Sequence, residues 1–235
     1  MNSEFNIIFL VTWYVVFIIS TTIHEACHAW IGKRGGDLTA FHGGQVSLDP
    51  TPHIRREPFG MIVVPIISLL LMGWPLGFAS VPYDPVWAQQ NPRKSAYMSL
   101  AGPTGNLLLL IMAGILIRVG ILLGWFLPPE AITITHICAA TSDGALQGLS
   151  IILSMFFIEN LVLFIFNMIP LPPLDGSEII TLFFNPKHID RYHQFINNPA
   201  MSFIGIFVAW QVFDLIFSTF YTISLNILYP GAHYA

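Results

Sequence analysis

Charge is scarce in this sequence. Only 9% of the 235 residues are charged, whereas 54% are hydrophobic; ordinary soluble domains carry roughly 25% charged residues. A surface with so few charges is poorly suited to water. The formal net charge is only -4 and no basic tract is interleaved with aromatic residues, so the sequence predicts that nucleic acid is not a partner. The composition indicates a membrane protein.

Cysteine is also nearly absent, since Cys27 and Cys138 are the only two. Two cysteines are too few for a disulfide framework, and these are not spaced as a paired thiol motif. The first apolar run is preceded by no Lys or Arg and has no obvious small-residue cleavage site. A secretory signal peptide would have a positively charged start and a cleavage site of small residues. We therefore interpret this run as a retained helix.

Long apolar runs are plentiful. They occupy residues 5–31, 59–80, 98–127, 145–170 and 200–229. About 20 apolar residues in a helix cross the roughly 30 Å hydrocarbon layer. The second run contains Pro65, Gly73, Pro75 and Gly77, which interrupt helices, so it is predicted to be a re-entrant or broken segment.

The predicted fold is an all-α polytopic membrane protein with about four spanning helices. Residues 1–235 are expected to form a single membrane-embedded domain. The polar, Gly-rich connection at 32–58 contains DLTAF and GGQVSL, which predict short β-strands. An edge strand within 36–49 is a hypothetical binding place for an unwound substrate segment, by β-strand addition.

The chemistry is concentrated in His24-Glu25-Ala26-Cys27-His28, an HExxH motif at the end of the first apolar run. Residues four apart on an α-helix project from the same face, so both imidazoles can bind one metal ion. Glu25 lies on the flank of that face, where a carboxylate suits a general base acting on water. Two histidines and a glutamate inside a membrane helix are costly to bury and indicate function.

A catalytic zinc ion ordinarily has three protein ligands and one water. The best candidate for the third ligand is Asp175 in NMIPLPPLDG, directly after the fourth apolar run. The prolines hold this segment extended, and Gly176 permits a tight turn that presents the aspartate at a fixed depth. The alternative interpretation is a Pro-rich turn in which Asp175 is merely solvated. A ligand set of His, His, carboxylate and water suits zinc best.

Two other classes of protein use similar residues. A membrane metal transporter or zinc-binding scaffold needs the ligands but no base, so Glu25 argues against it. A di-iron membrane oxidase or desaturase needs several histidine boxes, and this chain has one. Both alternatives are therefore less consistent with the sequence than a hydrolase.

Three motifs in order resemble the site-2 protease family of intramembrane zinc metalloproteases, in its compact bacterial subgroup without PDZ or CBS modules. They are HEACH, AGPTGN at 101–106 and NMIPLPPLDG at 167–176, and the likeness covers roughly residues 10–185. The resemblance implies that His24, His28 and Asp175 bind Zn²⁺ and that Glu25 is the catalytic base. It also implies that Asn167 lies near the site and steadies the substrate carbonyl or oxyanion.

The resemblance further implies a zinc metalloendopeptidase whose partners are the lipid bilayer and a membrane-spanning or membrane-associated protein or peptide substrate. The expected location is the cell membrane, in a multi-pass arrangement and in bacteria the inner membrane. Neither the oligomeric state nor the substrate is specified by the sequence. Cys27 replaces the glycine that many relatives have before the second histidine, and a buried packing role is expected for it.

Several other polar residues have simpler interpretations. His42, His53 and Asp49 imitate a second metal site, although solvated or backbone-bonded roles are favoured. Arg118 is expected to extend its charge toward the membrane surface. For Glu159, pairing within the helix bundle and contact with a water path to the metal both remain open.

Charge placement predicts the orientation of the helices. If residues 59–80 are re-entrant, one side of the membrane carries every Lys and Arg outside the apolar runs, namely Lys33, Arg34, Arg55, Arg56, Arg93, Lys94, Lys187 and Arg191. With five full spans these residues would divide four against four. The positive-inside rule favours the first arrangement, which places the catalytic helix ends toward the cytoplasm and both termini outside.

Overall fold

The structure is a computed structural model that describes residues 7–231, so residues 5 and 6 of the first predicted stretch lie outside the described part. In chain order the helices are α1 (Ile7–Gly35), α2 (Thr39–His42), α3 (Pro50–Arg56), α4 (Val64–Met72), α5 (Pro85–Gln90), α6 (Pro92–Leu122), α7 (Ala145–Met168), α8 (Asp175–Ile179), α9 (Pro186–Ile196) and α10 (Pro199–Leu228). The strands are β1 (Phe126–Leu127) and β2 (Ala139–Ala140).

Four helices in the described part are long and apolar enough to cross a membrane, namely α1, α6, α7 and α10. The shortest of them has 24 residues and is therefore about 36 Å long. The hydrocarbon layer is roughly 30 Å thick. The largest difference from the predicted stretches is in α6, which starts at residue 92 and ends at 122. The all-α polytopic fold predicted from the sequence is confirmed.

The second apolar stretch does not form a spanning helix. It contains a π-helical turn over Phe59–Val63 followed by α4, with five and nine residues respectively. Together they make roughly 20 Å of helix, which is shorter than the roughly 30 Å needed to cross. Pro65 lies in the first turn of α4, and Gly73 ends this helix with a left-handed φ of 71°.

The chain after α4 returns beside the same helix. The N–H of Leu76 donates to Ser68 Oγ at 2.7 Å, and the N–H of Phe78 donates to the carbonyl of Gly60 at 3.1 Å. A Cβ at Gly60 would collide with the carbonyl of Phe78, so this close approach requires glycine. Residues 59–80 therefore form a hairpin, as the re-entrant interpretation predicts.

Helices α1, α6 and α7 pack against one another and form the centre of this multi-pass membrane protein. Apolar side chains from all three helices meet in one buried cluster that includes Trp13, Ile117 and Ile158. Helix α10 packs on α7 and leaves Phe203 and Leu215 more than three quarters exposed. An apolar surface of this kind suits contact with lipid.

The short strands predicted in the first connection are not present among its described residues. Helices α2 and α3 occupy this connection, and turns and bends join them. The Asp49 side chain caps α3 by accepting a hydrogen bond from the N–H of Thr51, while Gly43 and Gly44 disfavour a strand. The prediction of strands, and of a substrate-binding edge strand within 36–49, is therefore wrong.

The small sheet between α6 and α7 is not predicted from the sequence. Its strands pair antiparallel, with Phe126 opposite Ala140. The N–H of Ile137 in the same loop donates to Ser154 Oγ of α7 at 3.0 Å. Two-residue strands are too short to give a pattern of alternating residues, so tertiary contacts of this kind position the loop.

Candidate metal centre

The end of α1 places two histidines and a glutamate inside the bundle. His24, Glu25 and His28 are 7%, 4% and 5% exposed. The two imidazoles project from one face of the helix because they are four residues apart. This face lies against α6, since a Cβ at Gly102 would stand 2.6 Å from His24 Nε2 and would also collide with His28 Nε2.

Asp175 reaches the same place from the loop that follows α7. It is the first residue of α8, and this helix packs against both α6 and α7. Gly176 makes the position possible, because a Cβ there would collide with the carbonyl of Ile169. The Asp175 side chain is only 20% exposed, so the solvated alternative for this aspartate is not what the structure shows.

Three potential ligand atoms form a compact triangle. Asp175 Oδ2 lies 3.2 Å from His24 Nε2 and 3.3 Å from His28 Nε2. The two Nε2 atoms are 2.9 Å apart. Zinc with ligands at about 2.0–2.1 Å in tetrahedral geometry holds those ligands about 3.3 Å from one another. The triangle therefore has nearly the dimensions of a zinc site.

The surroundings of Asp175 Oδ2 also fit a cation. This oxygen is buried and has no hydrogen-bond partner among the described residues, and a buried carboxylate oxygen without a partner costs free energy. A metal ion held by the three ligand atoms would satisfy it. Two imidazole nitrogens and a carboxylate are a donor set that suits zinc.

The second nitrogen of each imidazole is held by α6. His28 Nδ1 lies 2.7 Å from the carbonyl oxygen of Met98, and His24 Nδ1 lies 2.6 Å from Oδ1 of Asn106. Both oxygens only accept hydrogen bonds, so each Nδ1 is the nitrogen that carries the proton. In the neutral form of each ring, Nε2 then presents a lone pair toward Asp175, which is the tautomer that a metal ligand requires.

Sequence reasoning missed the residues of α6 that complete this site. Gly102 and Asn106 belong to AGPTGN, the motif that carries part of the family resemblance, but the motif by itself assigns them no contacts. Met98 contributes a backbone carbonyl, which any residue type would supply. A small residue and a buried amide four positions apart were the available signal, because such a pair lies on one helix face.

The two predicted catalytic residues have different surroundings. Glu25 is adjacent to His24 on α1 and is buried. Asn167 is half-buried in the last turn of α7, where its amide nitrogen donates to the carbonyl of Leu163 at 3.0 Å. The hydrogen bonds of the described residues do not connect Asn167 to the three potential metal ligands. Its role in catalysis stays a prediction.

Two carboxyl groups of α8 have shifted acidity. Burial acts to raise the pKa of Asp175, but the charge of His28 and close contacts with both imidazoles outweigh it and hold the pKa below its ordinary value. Burial raises the pKa of Glu178, although His193, at 3.0 Å, opposes this change. A lowered pKa favours the ionised carboxylate, which is the form in which aspartate binds a metal ion.

The residues that imitate a second metal site do not form one. His53 is only 1% exposed, and its Nε2 donates to the carbonyl of Ser47 at 3.1 Å. His42 is exposed, and the Asp49 side chain caps α3. Within residues 7–231, the triangle described above is the one group of three potential ligands whose atoms lie within 4.8 Å of one another. The backbone-bonded interpretation of His53 is confirmed.

Three further residues of the apolar runs have distinct surroundings. Cys27 Sγ stands 2.8 Å from the place of a Cβ on Gly105, so Cys27 packs α1 against α6. Arg118 donates to the carbonyl of Leu228 at 3.2 Å, at the end of α10. Glu159 is 1% exposed, and its Oε2 has no hydrogen-bond partner in the described part of the chain.

Comparison with known proteins is consistent with this geometry. The sequence profile of "Peptidase family M50" matches residues 12–210. The chain is 33% identical to "Putative zinc metalloprotease YwhC" of Bacillus subtilis (strain 168) over 171 residues, covering 71% of this chain and 66% of that protein. It is 26% identical to "Putative zinc metalloprotease Rip2" of Mycolicibacterium smegmatis over 174 residues, covering 73% and 56%. The matches therefore span about two thirds or less of these relatives, and no solved structure matches the chain.

Proposed function

The chain belongs to peptidase family M50, the site-2 protease family, and from this premise we propose that it is an intramembrane zinc metalloprotease. The observation that carries the proposal is the meeting of His24 Nε2, His28 Nε2 and Asp175 Oδ2 within 3.3 Å of one another. They come from two separate parts of the chain and meet between helices long enough to span a membrane. Residues 1–235 would act as one catalytic domain.

In this proposal His24, His28 and Asp175 hold Zn²⁺, which supplies the Lewis acidity that makes a water molecule reactive at neutral pH. Glu25 acts as general base and takes the proton from that water. Its position fits the role, because it lies beside His24 on the same helix and is 4% exposed, while the ligand triangle is complete without it. A general base contributes typically 10²–10⁴-fold to a rate.

We place Asn167 in a second role, as the group that holds the scissile carbonyl or the oxyanion. It lies in the last turn of α7, eight residues before Asp175. Its amide nitrogen has two N–H groups, and one of them donates to the carbonyl of Leu163 in its own helix, so the second N–H is the donor proposed for a substrate oxygen. Support for Asn167 is therefore the family resemblance and its position in the chain.

The proposed substrates are membrane-spanning or membrane-associated proteins, cleaved at peptide bonds within or beside the bilayer. The buried position of the metal centre at the end of a spanning helix supports this class. The proposed location is the cell membrane, in bacteria the inner membrane, with the catalytic helix ends toward the cytoplasm. The distribution of Lys and Arg supports this orientation.

The test uses the purified full-length protein in detergent, a transmembrane peptide as substrate, and measurement of bound zinc. Wild-type protein should bind one zinc ion and cleave the peptide. Glu25→Gln should keep the zinc and lose about 10²-fold or more of the rate, whereas His24→Ala should lose the zinc itself. Substantial cleavage by pure Glu25→Gln would overturn the role of Glu25. Zinc-loaded wild-type protein that cleaves no membrane peptide would instead favour a binding scaffold or transporter.

A further inference from the structure

Two asparagines at the centre of the membrane bundle have no exposed surface. Asn106 on α6 and Asn160 on α7 are both 0% exposed. A buried amide costs free energy unless its polar atoms are hydrogen-bonded. In both side chains the amide oxygen accepts a hydrogen bond and the amide nitrogen donates hydrogen bonds. The two asparagines therefore form a polar network with its hydrogen bonds satisfied, among apolar helices.

The direction of the Asn106 amide follows from its neighbours. Its Nδ2 donates to the backbone carbonyl of Ser20 at 3.3 Å and to Oδ1 of Asn160 at 2.9 Å. A backbone carbonyl can only accept, so the nitrogen must lie on that side. The Asn106 oxygen is thereby turned toward His24 Nδ1, 2.6 Å away.

The direction of the Asn160 amide is fixed in the same way. Its Nδ2 donates to the carbonyl of Phe156 in its own helix at 2.9 Å and to Ser20 Oγ at 3.0 Å. The Asn160 oxygen consequently faces Asn106 and accepts its N–H. Backbone carbonyls of α1 and α7 therefore determine the orientation of both amides.

We propose that Asn160 and Asn106 form a hydrogen-bond relay that fixes the tautomer and ring orientation of His24. Both are positioning residues, and Asn160 acts without touching the metal site. If Asn106 turned its amide around, its N–H groups would face His24 Nδ1 and favour the proton on Nε2. That tautomer has no lone pair on Nε2, the nitrogen that faces Asp175, and so cannot bind a metal ion there. The inference rests on the proposed zinc site but not on peptide hydrolysis.

The test is metal binding, measured in the folded full-length protein as the zinc dissociation constant by competition with a chromophoric chelator. Asn160→Leu removes both hydrogen-bonding groups in a similar volume. Loss of a residue that orients a metal-bound histidine typically weakens affinity about 10- to 100-fold, and we expect a loss in this range. Asn160→Asp keeps an acceptor for Asn106 but loses the donors to Phe156 and Ser20, so its zinc affinity should lie between those of Asn160→Leu and the wild-type protein.

Cobalt gives a second readout that a general loss of stability would not change. The visible absorption spectrum of the Co²⁺-substituted protein reports ligand geometry, and it should differ between wild-type protein and Asn160→Leu. The matched control is Ser154→Ala, because Ser154 is equally buried on α7 but bonds to Ile137 and Ser150. This control should lower stability and leave zinc affinity and the cobalt spectrum unchanged.

A milder variant covers the case in which Asn160→Leu does not fold. Ser20→Ala removes only the hydroxyl that accepts from Asn160 and should weaken zinc binding in the same direction by a smaller factor. Wild-type zinc affinity and cobalt spectrum in each folded relay variant would overturn the relay. If the wild-type protein itself bound no zinc, the metal site and the relay would both be wrong. Zinc binding without proteolysis would leave the relay standing and refute only the proposed activity.

Discussion

At the scale of single residues, the approach of α6 to the candidate metal centre depends on one glycine. Gly102 faces His24 and His28, the two proposed ligands, and a Cβ there would stand 2.6 Å from His24 Nε2. Since real non-bonded contacts of this length do not occur, an added methyl group must displace the imidazoles or move α6 away from α1. The absence of a side chain at position 102 is therefore part of the site.

Gly102→Ala should reduce zinc occupancy and peptide cleavage together. The expected loss is about tenfold or more, which is the size of effect seen when a contact that supports a metal ligand is lost. The matched control is Gly114→Ala in the same helix, where the nearest atom to a new Cβ is 3.6 Å away, an ordinary contact. The control should keep the zinc. Bound zinc per protein, measured by atomic absorption, distinguishes the two variants, and full occupancy in Gly102→Ala would show that the helices adjust freely.

The distant ligand has its own prediction. Asp175→Ala should weaken zinc retention and activity in parallel, because one of three protein ligands is lost and the site is opened to exchange. Asn167→Ala should leave the zinc in place and mainly slow turnover, since its proposed partner is the substrate oxygen. Normal metal content and activity in Asp175→Ala would mean that another carboxylate completes the site.

The residues that were predictable from the sequence are those whose geometry is local or carried by a motif. The spacing of His24 and His28 determines that they share a helix face, whatever the rest of the fold. Asp175 needed the LDG motif, because its position depends on a loop. The contacts of Asn160 could not be predicted, since they join three helices that are distant in sequence.

At the scale of elements, Asp37 ties two connections together at the end of α1. Its Oδ1 accepts the N–H of Thr39 and its Oδ2 accepts the N–H of Asp84, both at 2.9 Å. Burial acts to raise the pKa of Asp37, but these hydrogen bonds outweigh it and lower the pKa. The start of α2 is therefore held to the segment that follows the hairpin.

Asp37→Asn should destabilise the protein, because an amide N–H would face one of the two backbone N–H donors. A buried donor without a partner costs about 1–3 kcal/mol. The control is Asp49→Asn, since Asp49 accepts only from Thr51 at a helix start, where Asn is as good a cap as Asp. Thermal unfolding in detergent should show a lower midpoint for Asp37→Asn alone, and equal midpoints would contradict this role.

The pH dependence follows from the sign of the shift. The folded protein lowers the pKa of Asp37, so its contribution to stability is complete above the ordinary aspartate value of about 3.9 and is lost as the pH falls below it. The difference in unfolding midpoint between wild-type protein and Asp37→Asn should therefore shrink between neutral pH and about pH 3. A difference that grew on acidification would contradict the assignment.

The type of an element was predictable where its own composition determined it. It was less predictable where contacts with other elements determined it. The apolar runs indicated the four long helices, and Pro65 and Gly73 indicated that the second run would break. The first connection was predicted wrongly as strands, although Asp49 followed by Pro50 is a local signal for the start of a helix, and this side chain does cap α3. Short strand-like sequences without a partner strand give little information about structure.

At the scale of the whole molecule, the ligands can meet only if α1 and α7 run in the same direction. Both carry their ligands at or after their C-terminal ends, so an odd number of crossings must separate them. We expect that the hairpin at 59–80 does not cross the membrane, which leaves α6 as the one crossing in between. The carbonyl of Gly35 at the end of α1 accepts from Lys94 Nζ at 3.1 Å and from Trp87 Nε1 at 3.3 Å. The chain before the hairpin and the chain after it are therefore in contact, beside the end of α1.

Single cysteines test this topology in a background that lacks Cys27 and Cys138. Cysteines at Arg34 and Gln90, both exposed, should react with a membrane-impermeant maleimide from the same face, because the hairpin returns the chain to the side it left. A cysteine at Glu130, in the exposed part of the loop after α6, should react from the opposite face and serves as the control. By the positive-inside rule the first pair should label only when the cytoplasmic face is accessible. Labelling of Arg34→Cys and Gln90→Cys from opposite faces would mean that residues 59–80 cross the bilayer, and α1 and α7 would then run antiparallel and could not bring Asp175 to the two histidines.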